Sequence, residues 1–117
     1  MINNVGVELF RQNHPLEAEP YFIKAIEMNS HWPVAWNNLG AVKERRLDYS
    51  AALSLYKRAI ELQSYPLAYE NYASLLVNLG QNEKAYYFLK EQALPLYGRN
   101  PTLLDLWEKL KMKSRVP

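Results

Sequence analysis

The sequence predicts an all-α protein assembled from repeated pairs of helices. Three observations predict it. Small and large residues return together every 33 or 34 positions. Apolar residues follow spacings of three and four, as on one face of a helix. No segment alternates apolar and polar residues as a half-buried strand would. The repeat is concrete: Ala18, Phe22 and Ala25 return as Ala52, Tyr56 and Ala59, and Gly6 returns as Gly40. Trp36, Leu39 and Gly40 return as Tyr69, Tyr72 and Ala73, while Ala52 and Tyr56 return as Ala85 and Leu89. Self-similarity at this period is the signature of a stacked-repeat architecture.

Helices are expected over 2–12, 15–29, 33–46, 49–63, 66–79, 82–96 and 102–114. The first carries Gly6. The second carries Ala18, Phe22 and Ala25, with Pro20 inside it; a proline there removes a ladder bond, so this helix should kink or start late. The third reads Trp36, Leu39, Gly40 and Lys43. The fourth reads Tyr49, Ala52, Leu53, Tyr56, Ala59 and Ile60, with Asp48 placed to cap it. Gly80 should end the fifth helix and Asn82 should cap the sixth. Thr102-Leu103-Leu104-Asp105 has the form of a capping box for the seventh, with Asp in the Glu position. Pro33, Pro66 and Pro101 stand at helix starts, where a missing N–H costs little.

Glycine inside a helix costs roughly 1 kcal/mol against alanine, so Gly40 needs a packing reason. The expected reason is close approach: Gly40 and Ala52 let paired helices touch, and Trp36 and Tyr56 fill the remaining core volume. One hairpin cannot bury its apolar face alone, whereas about three stacked hairpins can.

The chain has 117 residues, 49% of them hydrophobic and 22% charged, with a net charge of +2. That suits one soluble domain, 1–117, with a core that needs no covalent staple. The near-neutral balance gives no footprint for nucleic acid. No apolar run reaches the length of a membrane span. The first residues lack the basic start of a signal peptide. Cysteine is absent and only His14 and His31 are present, so no disulfide framework, thiol nucleophile or His-rich metal site is expected. His14 precedes Pro15 in a turn, Glu17 and Glu19 diverge on their helix, and no glycine-rich loop follows a strand. No catalytic set, small-molecule substrate, cofactor or metal is therefore expected, and the cytoplasm is the expected location.

Trp36-x-x-Leu39-Gly40 followed by Ala52, Tyr56 and Ala59 resembles the tetratricopeptide repeat (TPR) family. Gly6, Ala18, Phe22 and Ala25 give a first unit. Tyr69, Tyr72, Ala73, Gly80, Ala85 and Leu89 give a looser third. Ser30 and Ser64 stand where the family usually has proline at the repeat boundary. The resemblance covers roughly residues 2–97, with repeats about 1–32, 33–65 and 66–99 and a capping helix over 102–114. It implies a right-handed α-solenoid of three hairpins plus that cap. It also implies a concave face, lined by the first helix of each pair, that binds peptides or protein segments without catalysis.

On that face the pattern places Asn4, Val7 and Arg11 from the first repeat, with Asn3 and Phe10 beside them. The middle repeat supplies Asn37, Asn38, Ala41 and Arg45, with Val34 and Glu44. The third supplies Glu70, Asn71, Ser74 and Asn78, with Leu67 and Val77. Asn4, Asn38 and Asn71 are equivalent positions. An amide offers one acceptor and two donors, so a row of three could hold the main chain of an extended peptide. This resembles the asparagine ladder of long TPR superhelices; the alternative is that these amides bond only to neighbouring helices. Family members that clamp the acidic C-terminus of heat-shock chaperones use Lys and Asn, then Asn, then Lys and Arg. The matching places here are Asn3 and Val7, then Asn38, then Leu67 and Asn71, so the cations are missing.

Residues 1–32 hold four acids and two bases, residues 33–65 five bases and three acids, and residues 100–117 four bases and two acids. Lys109, Lys111, Lys113 and Arg115 could attract an acidic surface, though a solvated cap helix explains them as well. Trp32 and Tyr65 are expected to cover the joints between repeats. Among Tyr86, Tyr87 and Phe88 at least one ring must face outward. The other function class is a structural subunit fixed in a complex. It would be held in a larger complex or a self-assembled array through its convex and end surfaces, including Phe10, Tyr86, Tyr87 and Leu104, with self-association expected through the repeat ends.

Overall fold

The structure, a computed structural model, describes residues 1–114 and is helical without a strand among them. Its helices are α1 (Ile2–Arg11), α2 (Pro15–Met28), α3 (Pro33–Arg45), α4 (Tyr49–Leu62) and α5 (Pro66–Asn78). Then come α6 (Asn82–Phe88), a π-helical stretch (Leu89–Ala93), α7 (Leu94–Tyr97) and α8 (Pro101–Ser114). The expected sixth helix is thus a composite. Pro95 lacks the N–H that would reach the carbonyl of Glu91, and the widened turn lies just before it. The Thr102 capping box is not what starts the last helix. Asn100 does, its Oδ1 accepting from the Leu103 N–H at 3.0 Å ahead of Pro101. Asn82 is likewise no cap: it lies within α6, and its Oδ1 is buried with no donor. Asp48 does cap α4, accepting from the Ala51 N–H at 3.3 Å. Pro20 neither delays nor ends α2, which begins at Pro15. It sits on the exposed side with Leu16, where water can meet the carbonyl it leaves unpaired.

The chain forms two compact units, Met1–Ala68 and the part from Tyr69 onward. In the first, α1 packs on α2, α2 on α3, and α3 on α4. Its core holds Ala18, Phe22, Leu39 and Val42, with Val7, Leu9, Phe10, Ile26 and Leu55 packed partly buried against them. A methyl on Gly40 would lie 2.6 Å from the Tyr56 ring, and one on Gly6 would lie 2.6 Å from the Phe22 ring. The residue that requires Gly40 is therefore the aromatic ring of the paired helix rather than Ala52. Phe22 and Tyr56 are each 1% exposed, and burying such a side chain contributes roughly 1.5–3 kcal/mol.

Trp36 corrects the expectation that it fills the core beside Tyr56. It is only half-buried, its indole N–H donates to the Ser30 carbonyl at 2.9 Å, and the Arg58 guanidinium lies 5.7 Å above its ring. Trp32 is also substantially exposed. In the second unit an aromatic cluster joins the buried Leu75, Leu76, Leu89 and Leu103. Tyr69 stacks on Phe88 at 5.8 Å, and Tyr72 meets Phe88 edge-on at 4.7 Å. Tyr97 meets Tyr69 edge-on at 5.1 Å.

The turns within the hairpins repeat more strictly than the side chains. Asn13, Leu47 and Gly80 all have left-handed φ, at 67°, 64° and 78°. The amides after them, of His14, Asp48 and Gln81, each bond back to Leu9, Lys43 and Leu76 at 2.9 Å. Their own amides bond to Phe10, Glu44 and Val77 at 3.0 Å. This is the Schellman arrangement, which satisfies helix-end carbonyls through one left-handed residue.

Candidate functional site

The first unit brings α1 and α3 together along one seam. Asn38 Nδ2 donates to Asn3 Oδ1 at 3.0 Å, joining the two helices by amides. Arg45 reaches from the end of α3, donates to Asn13 Oδ1 in the α1–α2 turn, and lies 5.2 Å over the Phe10 ring. A guanidinium has five donors in a flat fork, so Arg45 can be held on one edge and still present donors outward. Two carboxylates of α2 and α3, Glu19 and Glu44, are engaged by other groups. Glu19 accepts from Arg46 at 2.9 Å and Lys43 at 3.4 Å, tying α2 to the end of α3. Glu44 accepts from the buried Tyr56 hydroxyl at 2.8 Å. Burial first, and then this hydrogen bond and the carboxylate's charge, push the Tyr56 phenol far above its ordinary range.

The residues expected at the surface divide by environment. Asn4, Arg11 and Arg45 are exposed; Val7, Asn38 and Ala41 are half-buried. Val7 and Phe10 pack partly against the core cluster, so they are less open than their pattern suggested. Asn37 corrects the expectation that it contacts a partner, since it is 1% exposed. Its reason is register: Pro33, Asn37 and Gly40 form one buried stripe of α3. In the second unit Glu70, Asn71 and Ser74 are half-buried and Asn78 is exposed. Glu70 accepts from Asn100 Nδ2 at 3.1 Å, the same side chain that caps α8. Its carboxylate therefore holds the start of α8.

Asn13 was missed in sequence. Its only signal was the repeat period, which aligns it with Leu47 and Gly80 in the turns. Trp107 was also missed: it stacks on Tyr86 at 4.8 Å and 21°, and the ammonium of Lys111 lies 5.7 Å above its ring. Of the three outer rings, Phe88 is buried, Tyr86 is half-buried and Tyr87 faces outward. Lys109 and Lys111 pair with Asp105 and Glu108 on their own helix at 3.0 and 3.1 Å; Arg115 lies outside the described residues. Among the described residues no group of three His, Cys, Asp or Glu could hold a metal, and no helix is long and apolar enough to cross a membrane.

No family model matches the sequence, and no curated protein matches it. Solved structures do. The first TPR domain of Spaghetti (RPAP3), bound to the HSP90 peptide SRMEEVD, superposes with a TM-score of 0.86 at 22% identity, covering 97% of this chain and 92% of that one. The Yersinia enterocolitica type III secretion chaperone SycD, in complex with a peptide of the translocator YopD, gives 0.86 at 16% identity, with 97% and 92% covered. The TPR domain of Arabidopsis OM64 gives 0.84 at 17%, with 96% and 93% covered. The Gly–aromatic pairs, the three identical turns and these superpositions agree: the chain has the tetratricopeptide-repeat fold, an α-solenoid of helical hairpins.

Proposed function

We propose that this chain is a non-enzymatic protein-interaction module that holds an extended peptide segment against the α1–α3 face. The observation that carries this reading is Arg45. Its guanidinium is fixed across the α1–α3 seam by Asn13 and Phe10, and the same two helices carry the half-buried Val7 and Ala41 and the exposed Asn4 and Arg11. A cation already ordered over an aromatic ring loses little freedom when a partner arrives. Two of the similar structures contain bound peptides, which supports the same reading. The peptide is not expected to be the acidic tail of a heat-shock chaperone, because Asn3, Val7 and Leu67 stand where such clamps carry other groups.

Asn38 enters this reading with one donor already given to Asn3, so it offers a peptide its oxygen and one remaining N–H. Selecting binders from a displayed random-peptide library and measuring them by fluorescence anisotropy tests the proposal. Arg45→Ala should weaken the selected peptides roughly tenfold, as loss of a charge-assisted hydrogen bond does. Asn38→Ala should weaken them less. Unchanged affinity in both variants would remove this face from the account.

A further inference from the structure

We propose that the outer side of α2 is the interface of a two-fold symmetric dimer, in which α2 pairs antiparallel with α2 of a second copy of this chain. The stripe that carries this is Leu16, Pro20 and Ile23, which fall within about 60° of one another around the helix. Leu16 is 63% and Ile23 42% exposed, and Pro20 is exposed between them. The repeat supplies the control. The equivalent residues of α4 are Ser50, Ser54 and Lys57, and those of α6 are Glu83, Tyr87 and Lys90. All six are exposed. A hairpin precedes α4 and still leaves this register open, so the stacking of repeats does not account for aliphatic side chains there. Of these three helices only α2 carries no polar residue at the register, and a contiguous exposed apolar stripe marks an interaction surface.

The charges beside the stripe select the occupant and its direction. Glu17 and Lys24 are exposed, and both lie about 90° round α2 from Leu16 on the same side. Among the described residues Lys24 has no ion-pair partner, and Glu17 has only the His14 ring at 3.9 Å. When two helices pair antiparallel, like flanks meet; when they pair parallel, opposite flanks meet. The opposite flank of α2 carries Glu19, already held by Lys43 and Arg46, and Ile26, packed partly against the core. Antiparallel pairing about an axis near Pro20 therefore sets each Glu17 against the other copy's Lys24, twice, while Leu16 meets Ile23. Parallel pairing would leave both charges unmatched. Glu27 and His14, at the two ends of the stripe, also come level with each other. A surface that is its own complement is what a two-fold interface requires. Pro20 at the axis leaves the Leu16 carbonyl without its ladder donor, and pairing brings a lysine of the other copy to that end of the stripe. With 14 residues, α2 is about 21 Å long. Two such helices cover less than a standard interface, so the dimer should be weak, forming at roughly tens of micromolar or above. It uses no residue of the α1–α3 face, so it goes beyond the peptide-binding reading and does not depend on it.

Sedimentation equilibrium of the full chain, from about 5 µM to about 1 mM, should show monomer passing to dimer. Leu16→Ser combined with Ile23→Lys, which copies the residues α4 carries at this register, should weaken the dimer roughly tenfold or more. Glu17→Lys alone and Lys24→Glu alone should each weaken it, because like charges then face each other twice. Mixed together, those two single variants should associate roughly tenfold more tightly than either does with itself. Recovery on mixing cannot come from variants that fail to fold. Arg45→Ala should leave the dimer unchanged. A chain that stays monomeric throughout, whatever other protein it binds, would overturn the proposal, as would a dimer indifferent to the Leu16→Ser, Ile23→Lys exchange. A mixture no tighter than the single variants would overturn the antiparallel register.

Discussion

Residues 1–68 solve helix packing twice with the same pair, a glycine under an aromatic ring: Gly6 under Phe22 and Gly40 under Tyr56. From Tyr69 onward the equivalent positions are Ala73 and Leu89, both fully buried. The small partner has gained a methyl and the large one has lost a ring. The comparison teaches that the repeat fixes a summed volume rather than residue identities, as expected where cores tolerate volume-conserving exchange. Rings released from that position reappear in the second unit as the Tyr69, Tyr72, Phe88 and Tyr97 cluster. The second helix of that unit also breaks into a π-helical stretch ahead of Pro95, whereas α4 runs unbroken.

The largest expected effect comes from removing a ring in the first unit. Tyr56→Ala should cost about 3–5 kcal/mol, while Trp36→Ala should cost clearly less because Trp36 is half-exposed, with its indole N–H on the Ser30 carbonyl and Arg58 over its ring. Urea melts of both variants check the order. Equal losses would return Trp36 to the core. Next comes the exchange itself. Gly40→Ala places a methyl 2.6 Å from the Tyr56 ring and should destabilise by about 1–3 kcal/mol. Adding Tyr56→Leu should recover part of that loss by recreating the Ala73 and Leu89 combination. Strictly additive losses in the double-mutant cycle would break the comparison between the units.

Much of this was legible in the sequence. The period located every hairpin, because a stacked repeat must return the same volumes at the same places. What it could not give was the neighbour of each face. Trp36 and Tyr56 look alike as large residues at helical spacing, yet only one lies beneath the paired helix. Asn37 and Asn38 are adjacent, and one step of about 100° separates a buried amide from one on the α1–α3 seam. Asn100 displaced Thr102 as a cap because Pro101 could open the helix one residue earlier. The widened turn before Pro95 depends on which carbonyl that proline leaves unpaired, which spacing alone does not show.

The two units differ in smaller ways that pH can expose. Burial raises the phenols of Tyr56 and Tyr65 in the first unit and of Tyr72 in the second, with Tyr56 raised most. Below about pH 10 these groups are neutral in both folded and unfolded chains, and their contribution is fully present. Above that, the unfolded chain ionises while the folded one keeps its protons, so stability falls as pH rises. Tyr56→Phe should cost about 1 kcal/mol at neutral pH through loss of the bond to Glu44. It should also flatten the decline above pH 10, since Phe22 occupies the equivalent site without a hydroxyl. Urea midpoints measured across that range check both. An unchanged slope would assign the decline to other tyrosines.

The smallest effect concerns the turns, where the units are most alike in backbone and least alike in sequence. Left-handed φ is free for glycine, tolerable for asparagine and costs most other residues roughly 1–2 kcal/mol. The second unit meets the requirement with Gly80, and the first meets it once with Asn13 and once with Leu47. Leu47 is also 70% exposed, so its side chain returns little of that cost through burial. Leu47→Gly should therefore stabilise by about 0.5–1 kcal/mol, reduced from the full strain by glycine's greater freedom in the unfolded chain. Leu47→Asn should gain a similar amount without that penalty, and Gly80→Leu should lose roughly what Leu47→Gly gains. Thermal melts of the three variants decide it. If Leu47→Gly and Leu47→Asn both destabilise, the leucine side chain is holding the turn through a contact worth more than the strain it imposes.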